Sequence, residues 1–521
     1  MQVMSTLRLE PTRKPSPTML IAVLCFGGLL ASYMQTLVVP IVGLLPTYLH
    51  TSADNASWVI TATLLAAAVV MPIAGRVADM FGKRSVILAS IGLMVIGSVI
   101  SAVFDSLIPV IIGRGLQGMA MGVIPVGISL LRDELPPNKI AGAIATMSAT
   151  LGVGGAIGLP VAAWISQNFS WHVLFWTSAA LGTVAFLLVI TLVQESPARS
   201  GGTFDSVGAV GLTIALVCLL LALSKGRSWG WTSDLTLGLV AAGLIVFAAW
   251  VVYELRTSSP MVNIRVSVTP RVALTNIVSV VIGFALMGIS LASPQLLQLP
   301  HIPGVLDYGM GRSIIEAGLW MAPGGLMMMF LSPVSARLNV TIGPKFTLLI
   351  GTVVIALGYG LAIVAAAAPW QVALAVMVTS SGVGIAYSAM PSLIMSAVPL
   401  SETASANGLN SLMRSIGTAI ASALLATILA SSTVNIGPTS VPDRSAFQMV
   451  FIIGAVASLV AAALILLIPG DKKSALPGTQ PVDLPEHKDR ADESIAEEIL
   501  DGELPVDGSA DYGRHAAPAA R

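Results

Sequence analysis

The sequence predicts an all-α polytopic membrane protein with fourteen crossing helices. Three observations predict it. Charged residues are 10% of the chain and hydrophobic ones 55%, too little charge to cover a water-soluble surface of 521 residues. The mean hydropathy is +0.87. Apolar runs of about twenty residues, the length that crosses a bilayer's hydrocarbon core, recur from residue 19 to residue 468. The runs are unbroken rather than alternating, which favours helices over a closed barrel.

Residues 1–18 are a polar N-terminal tail with Arg8, Arg13 and Lys14. The first run, 19–43, has no small-residue cleavage site behind a short core, so it reads as a retained span and not a removed leader. Further runs at 56–75, 85–103, 108–131, 139–165 and 172–193 complete a first six-helix bundle, 19–193. A linker, 194–271, holds two more spans, 207–224 and 235–254. A second bundle, 272–468, contains 272–296, 313–334, 346–366, 371–397, 406–431 and 446–468. The last segment, 469–521, carries twelve acids and six bases and few large apolar residues, so a disordered tail is expected. An even number of crossings puts both chain ends on one side. Loops there hold eleven bases, among them Arg76, Lys83, Arg132 and Arg337, against Lys225, Arg227, Arg312 and Arg444 on the other. That bias predicts cytoplasmic ends in a cell membrane.

A weak repeat supports duplicated halves. Gly75-Arg76-Val77-Ala78-Asp79-Met80-Phe81-Gly82-Lys83-Arg84 is echoed 261 positions later by Ala336-Arg337 through Gly343-Pro344-Lys345. Duplicated halves with a site between them are a common construction of secondary transporters. Cys25 and Cys218 lie in apolar runs and suggest neither a disulfide nor a metal site. No phosphate-binding Gly-Lys-Ser/Thr loop and no His-rich pair occurs, so no cofactor, metal or nucleic-acid partner is expected, and a polytopic membrane enzyme is a remote alternative. A monomer is expected.

Several groups carry chemistry. Gly75 and Gly82 allow close approach in the short turn between the second and third spans. Asp79, in that turn, can face the positive end of a neighbouring helix or pair with Arg84. Made in one conformation and broken in another, such a contact is a latch; the bases alone need only ordinary topology. Arg114, in Gly113-Arg114-Gly115-Leu116-Gln117-Gly118, lies inside a span, where a charge is costly. It either holds backbone carbonyls or faces a cavity, where it tunes a carboxylate or contacts substrate. In the fifth span Gly152, Gly154 and Gly158 permit tight packing and Pro160 frees a carbonyl, giving a seam between moving halves or a plain glycine contact. Arg414, near Asn407 and Asn410, is the second intramembrane arginine, lining a cavity or structural. Tyr33, Met34 and Gln35 of the first span, with Asn410 and Arg414, are the cavity candidates; a lone polar group in a span is more often glue between helices. The run Met327-Met328-Met329 faces either an adaptable pocket or, more commonly for such a run, lipid.

These stretches carry a resemblance. Gly75–Arg84 resembles the signature turn of the major facilitator superfamily, Gly113–Gly118 its fourth-span arginine motif, and the fifth-span glycines its antiporter motif. Ser170–Phe175, Phe204–Gly208, Trp229–Thr232, Glu254–Arg256 with Pro260, and Asn410–Gly417 are similar to its fourteen-span drug:proton antiporter branch. The resemblance covers residues 35–420. It implies two six-helix bundles, two inserted helices, alternating access, and export of small amphiphilic or lipophilic compounds against entering protons. Two departures stand out. Met34 occupies the place of the branch's usual first-span Asp, and Leu159 replaces a proline, with Ala162-Ala163 where two glycines are usual. With no Asp or Glu deep in any span, the proton-coupling candidates are Glu316, Glu134, Asp133 and Asp79. The missing acid leaves open a transporter of the same fold that is not proton-coupled, or one specific for a metabolite or lipid.

Overall fold

In the computed structural model, residues 16–196, 199–201, 203–436 and 439–469 are described. The expected tail 469–521 therefore lies, apart from its first residue, outside the described residues, as do residues 1–15. Among the described residues fourteen helices are long and apolar enough to cross a membrane: α1 Pro17–Ile41, α2 Ala53–Phe81, α3 Lys83–Val103, α4 Leu107–Glu134, α5 Pro137–Asn168, α6 His172–Leu192, α7 Ser206–Trp229, α8 Asp234–Arg256, α9 Pro270–Gln298, α10 Ile314–Thr341, α11 Pro344–Val364, α12 Pro369–Met395, α13 Leu400–Ser431 and α14 Arg444–Leu467.

Local chemistry sets the ends. Ser16, Asp205, Ser233, Ser313 and Asp443 accept hydrogen bonds from first-turn amides, each satisfying a donor the helix cannot. Gly82, at φ +118°, turns the chain between α2 and α3 where a side chain would be strained. Within α1 the regular α-helix stops at Thr36 and a 3-10 turn, Val39–Ile41, follows; Pro40 supplies no N–H to continue the ladder. Two short strands also occur among the described residues. Thr433–Ile436 pairs antiparallel with Thr439–Pro442, in register Thr433 to Pro442, between α13 and α14.

Buried apolar residues fall into separate clusters. One runs from Leu20 to Val193, joined by Met395 and Ala404. A second runs from Val278 to Ile468. A third lies where α7 meets both α2 and α13: Leu212, Leu216 and Leu220 pack with Ala68 and Leu412, and Trp250 of α8 closes it. The outward residues of α8, such as Leu244, Ile245 and Val252, are exposed, as a lipid-facing surface requires.

Candidate functional site

A cavity of about 500 Å³ lies between the two large clusters, lined by α1, α2, α4, α5, α7, α9, α10, α12 and α13. Its lining starts at mid-helix with Met71, Met121, Tyr387 and Ser411 and runs to Thr61, Arg227, Gln298 and Ile314. Those last residues sit at the helix ends away from the chain termini. At the end nearest the termini nothing of the turn 75–84 or of Thr403–Asn410 reaches the cavity.

That end is closed by the turn between α2 and α3. The fully buried Asp79 accepts hydrogen bonds from the backbone N–H of Ala404 at 3.1 Å and of Ser405 at 2.8 Å. A carboxylate thus sits on the positive end of α13, where free amides and the helix dipole both attract it. Asp79 does not pair with Arg84. Instead Arg84 donates to the Ile190 carbonyl at 2.7 Å, and its own N–H goes to Glu195 at 3.0 Å. Glu195 also accepts from Ser85 and caps the start of α3 from outside. Gly75 lets the backbones of α2 and α13 touch: a Cβ there would lie 2.8 Å from Ser405 Cα. Arg76 is buried in the same turn. Lys83, with no exposed surface, pairs with Asp133 and reaches the Thr403 hydroxyl at 3.5 Å. Asp133 accepts a further hydrogen bond from Ser196 at 2.5 Å. Ser129 and Thr403 meet through their hydroxyls.

Arg114 is buried against carbonyls. Its Nη1 donates to Met34 O at 3.0 Å and to Gln117 Oε1 at 2.7 Å, and its Nε to Val59 O at 3.4 Å. Gln117 passes the network to Ser98 at 2.8 Å. Its partners are carbonyls and an amide, it does not line the cavity, and the expectation that it tunes a carboxylate is corrected. Gly118 packs on the Thr63 backbone of α2. The antiporter-like stretch divides between two neighbours. Gly154 and Gly158 face Ser32, Tyr33 and Thr36 of α1, whereas Gly152 faces Met328 of α10 and Pro160 lies near Gly318.

The cavity candidates sort by helix face. Gln35 and Arg414 line it; Tyr33, Met34 and Asn410 do not. Asn410 instead donates to Asn276 at 2.9 Å and Ser279 at 2.7 Å on α9. The guanidinium of Arg414 stands 4.7 Å from the Tyr387 ring centroid and donates to Ser411 at 2.9 Å. Met328 is buried on the cavity wall and not lipid-facing, while Met329 is exposed.

Among the proton-coupling candidates Glu316 lies at the outer end of α10. It is half-exposed, accepts the Ser313 N–H at 2.9 Å in a capping box, and stands 4.0 Å from Arg312. Its place is the rim of α10 and not the cavity. Glu134 is half-buried at the end of α4. Among the described residues no Asp or Glu lines the cavity. Two buried acids escaped sequence reasoning as a pair. Asp205 accepts from Gly208 N–H at 2.8 Å and Tyr253 O–H at 3.0 Å, and Glu254 from Val262 N–H at 3.3 Å. Their remaining oxygens converge over Gly208. Lys225 also escaped: it donates to Asp54 O at 2.9 Å and Ser57 at 2.5 Å, and its ammonium lies 4.9 Å from the Trp58 ring.

A family profile described as Major Facilitator Superfamily matches residues 24–422. The chain belongs to the major facilitator superfamily. It is a multi-pass membrane transporter and not an enzyme. Membership is matched by likeness to exporters. The chain is 26% identical to the tetracenomycin C resistance and export protein of Streptomyces glaucescens, over 82% of this chain and 78% of that protein. It is 28% identical to the multidrug export protein EmrB of Haemophilus influenzae, over 76% and 78%, and 25% to multidrug resistance protein 3 of Bacillus subtilis, over 80% of each. It spans only 62% of an uncharacterised superfamily transporter of Bacillus subtilis and 44% of one of Mycobacterium tuberculosis. The crystal structure of the human organic anion transporter MFSD10 superposes with TM-score 0.63 at 13% identity, covering 87% of this chain and 100% of that one, a likeness of fold alone.

Proposed function

We propose that this superfamily member is a monomeric exporter of small amphiphilic or lipophilic compounds, working by alternating access in exchange for protons, with both chain ends on the cytoplasmic side of a cell membrane. The observation that carries the reading is the one-ended cavity: it lies between the two bundles, reaches the face away from the termini, and is shut at the other by Asp79 on the amides of α13. On this reading the conformation is the outward-facing one, and the turn 75–84 is its latch. The curated relatives named as export proteins support the direction of transport. Because the cavity has no carboxylate, the proton acts on this reading at the closed end. Protonating Asp79 removes the charge that draws the α13 amides, and protonating Asp133 releases Lys83 and, with it, Thr403.

Vesicles containing the purified protein, loaded with a fluorescent amphiphile and given an imposed pH gradient, test this. Acceleration by the gradient and its collapse with a protonophore are expected. Movement indifferent to both rules out antiport; no movement of any amphiphile rules out the exporter. A second reading has its own observations: Met34 stands where an acid is usual, and among the described residues no Asp or Glu is on the cavity wall. It keeps the fold and the cargo but not the proton, and predicts downhill movement without pH change.

A further inference from the structure

The cavity's charge is one-sided. Two arginines, Arg227 and Arg414, line it, and among the described residues no acid on its wall opposes them. Arg414 is 8% exposed, sits midway along α13, and makes no ion pair among the described residues. Its side-chain support among the described residues is Ser411 and the face of Tyr387. A ring face attracts a cation without neutralising it. A guanidinium held at membrane depth, in a space walled mostly by aliphatic residues and otherwise by neutral polar ones and glycine, is left short of counter-charge. Its planar fork matches the oxygens of a carboxylate, sulfonate or phosphate, which accept two parallel hydrogen bonds. Arg227, exposed at the mouth, adds a second positive group along the entry path. The volume of about 500 Å³ suits a drug-sized molecule. Gln35, Gln298 and Ser380 supply neutral polar contacts on the same wall.

We propose that the cavity selects anionic amphiphiles, the acidic head on Arg414 over Tyr387 and the apolar body along the aliphatic wall. Arg414 then does more than fill a structural role, since the ligand completes its ion pair. The proposal rests on the exporter reading above and names its cargo class. A positively charged amphiphile meets two like charges and no partner, and is disfavoured.

The test uses three matched naphthyl amphiphiles differing only in head group: a sulfonate, an uncharged sulfonamide and a trimethylammonium. Binding is read by fluorescence on the full-length protein in nanodiscs, and movement in vesicles. The sulfonate is expected to bind about tenfold or more tighter than the ammonium. Arg414→Gln should weaken sulfonate binding about tenfold and leave the sulfonamide within about twofold, and Arg414→Lys should recover part of the loss. Arg227→Gln, on the exposed rim, keeps the test decisive if Arg414→Gln does not fold: it should slow sulfonate binding about threefold and flatten its salt dependence. Ammonium binding as tight as sulfonate, or a sulfonate-to-sulfonamide ratio unchanged in folded Arg414→Gln or in Arg227→Gln, overturns the proposal. If only the sulfonamide or the ammonium moves, the anion inference falls and the exporter stands. If none moves, both fall.

Discussion

Replacing Asp79 by Asn isolates the closing contact of the terminal end. The native carboxylate accepts two backbone N–H groups, at 3.1 and 2.8 Å, on the first turn of α13. Hydrogen bonds to a charged group contribute about 1.5–3 kcal/mol each, against about 0.5–1.5 for neutral ones. The attraction of a buried anion to a helix N-terminus adds up to about 2 kcal/mol. Asn keeps one acceptor oxygen, presents an NH2 to the other amide, and has no charge. The expected loss is about 2–3 kcal/mol of preference for the closed end, a shift of roughly 30- to 150-fold in the equilibrium between closed and open. Phe81 and Leu400, both exposed, flank the contact from α2 and α13. Spin labels at these two positions, with Cys25 and Cys218 replaced, report the gap by pulsed electron resonance in nanodiscs. A short distance should dominate with Asp79, and a longer one should grow in with D79N. A folded D79N protein with the same distance distribution would show that this carboxylate does not hold the ends together, and the latch would have to lie elsewhere.

Three further outcomes follow from the same geometry. Gly408→Val would force a side chain against the Met71–Pro72 backbone, within 3.2 Å of Pro72 Cα, so it should open the same label pair and lower the melting temperature; a closed, equally stable variant contradicts the packing. Arg114→Met leaves the Met34 carbonyl and Gln117 without their donor, at about 1–3 kcal/mol for each orphaned group. It should therefore reduce folded yield for every cargo alike, and a selective change of cargo in stable protein would refute its structural role. Asp443, in the loop between the strand pair and α14, has its carboxyl held below the usual range by Ser445, the Ala446 N–H and Ser432. A depressed folded pKa gives stability that is present above the unfolded value of about 3.9 and is lost as pH falls through the folded one. Asp443→Asn should thus lower the melting temperature at neutral pH, with the gap from wild type closing in strong acid; a gap independent of pH contradicts the assignment.

The spans were legible because lipid demands long apolar runs, and their order gave the two inserted helices between the bundles. Their ends were less so. The apolar run starting near 406 belongs to a helix that begins with Leu400, because Ser401, Glu402 and Thr403 are polar yet stay helical where they meet the turn of α2. The strand pair 433–442 is too short and polar to declare itself. At the site, residues that look adjacent in sequence separate in space. Consecutive helical positions differ by about 100° in direction, so Gln35 faces the cavity while Tyr33 and Met34 pack away from it. Glu316 could have been recognised as a cap from Ser313 three residues before it. The partner of Asp79, 325 residues away in sequence, and the meeting of Asp205 with Glu254 needed the tertiary structure, because a backbone amide or a second acid leaves no mark at a distance.

The inserted pair has a mechanical consequence. Lys225 ties one end of the hairpin to the start of α2, and Glu254 ties the other to Val262, on the stretch that leads into α9. Between those moorings α7 stands against α2 and α13 together. The hairpin is thus a strap across one seam of the molecule, anchored to a different partner at each end. Standing there, it forms one side wall of the cavity, through Leu220, Leu223, Ser224 and Arg227, and separates that wall from the lipid.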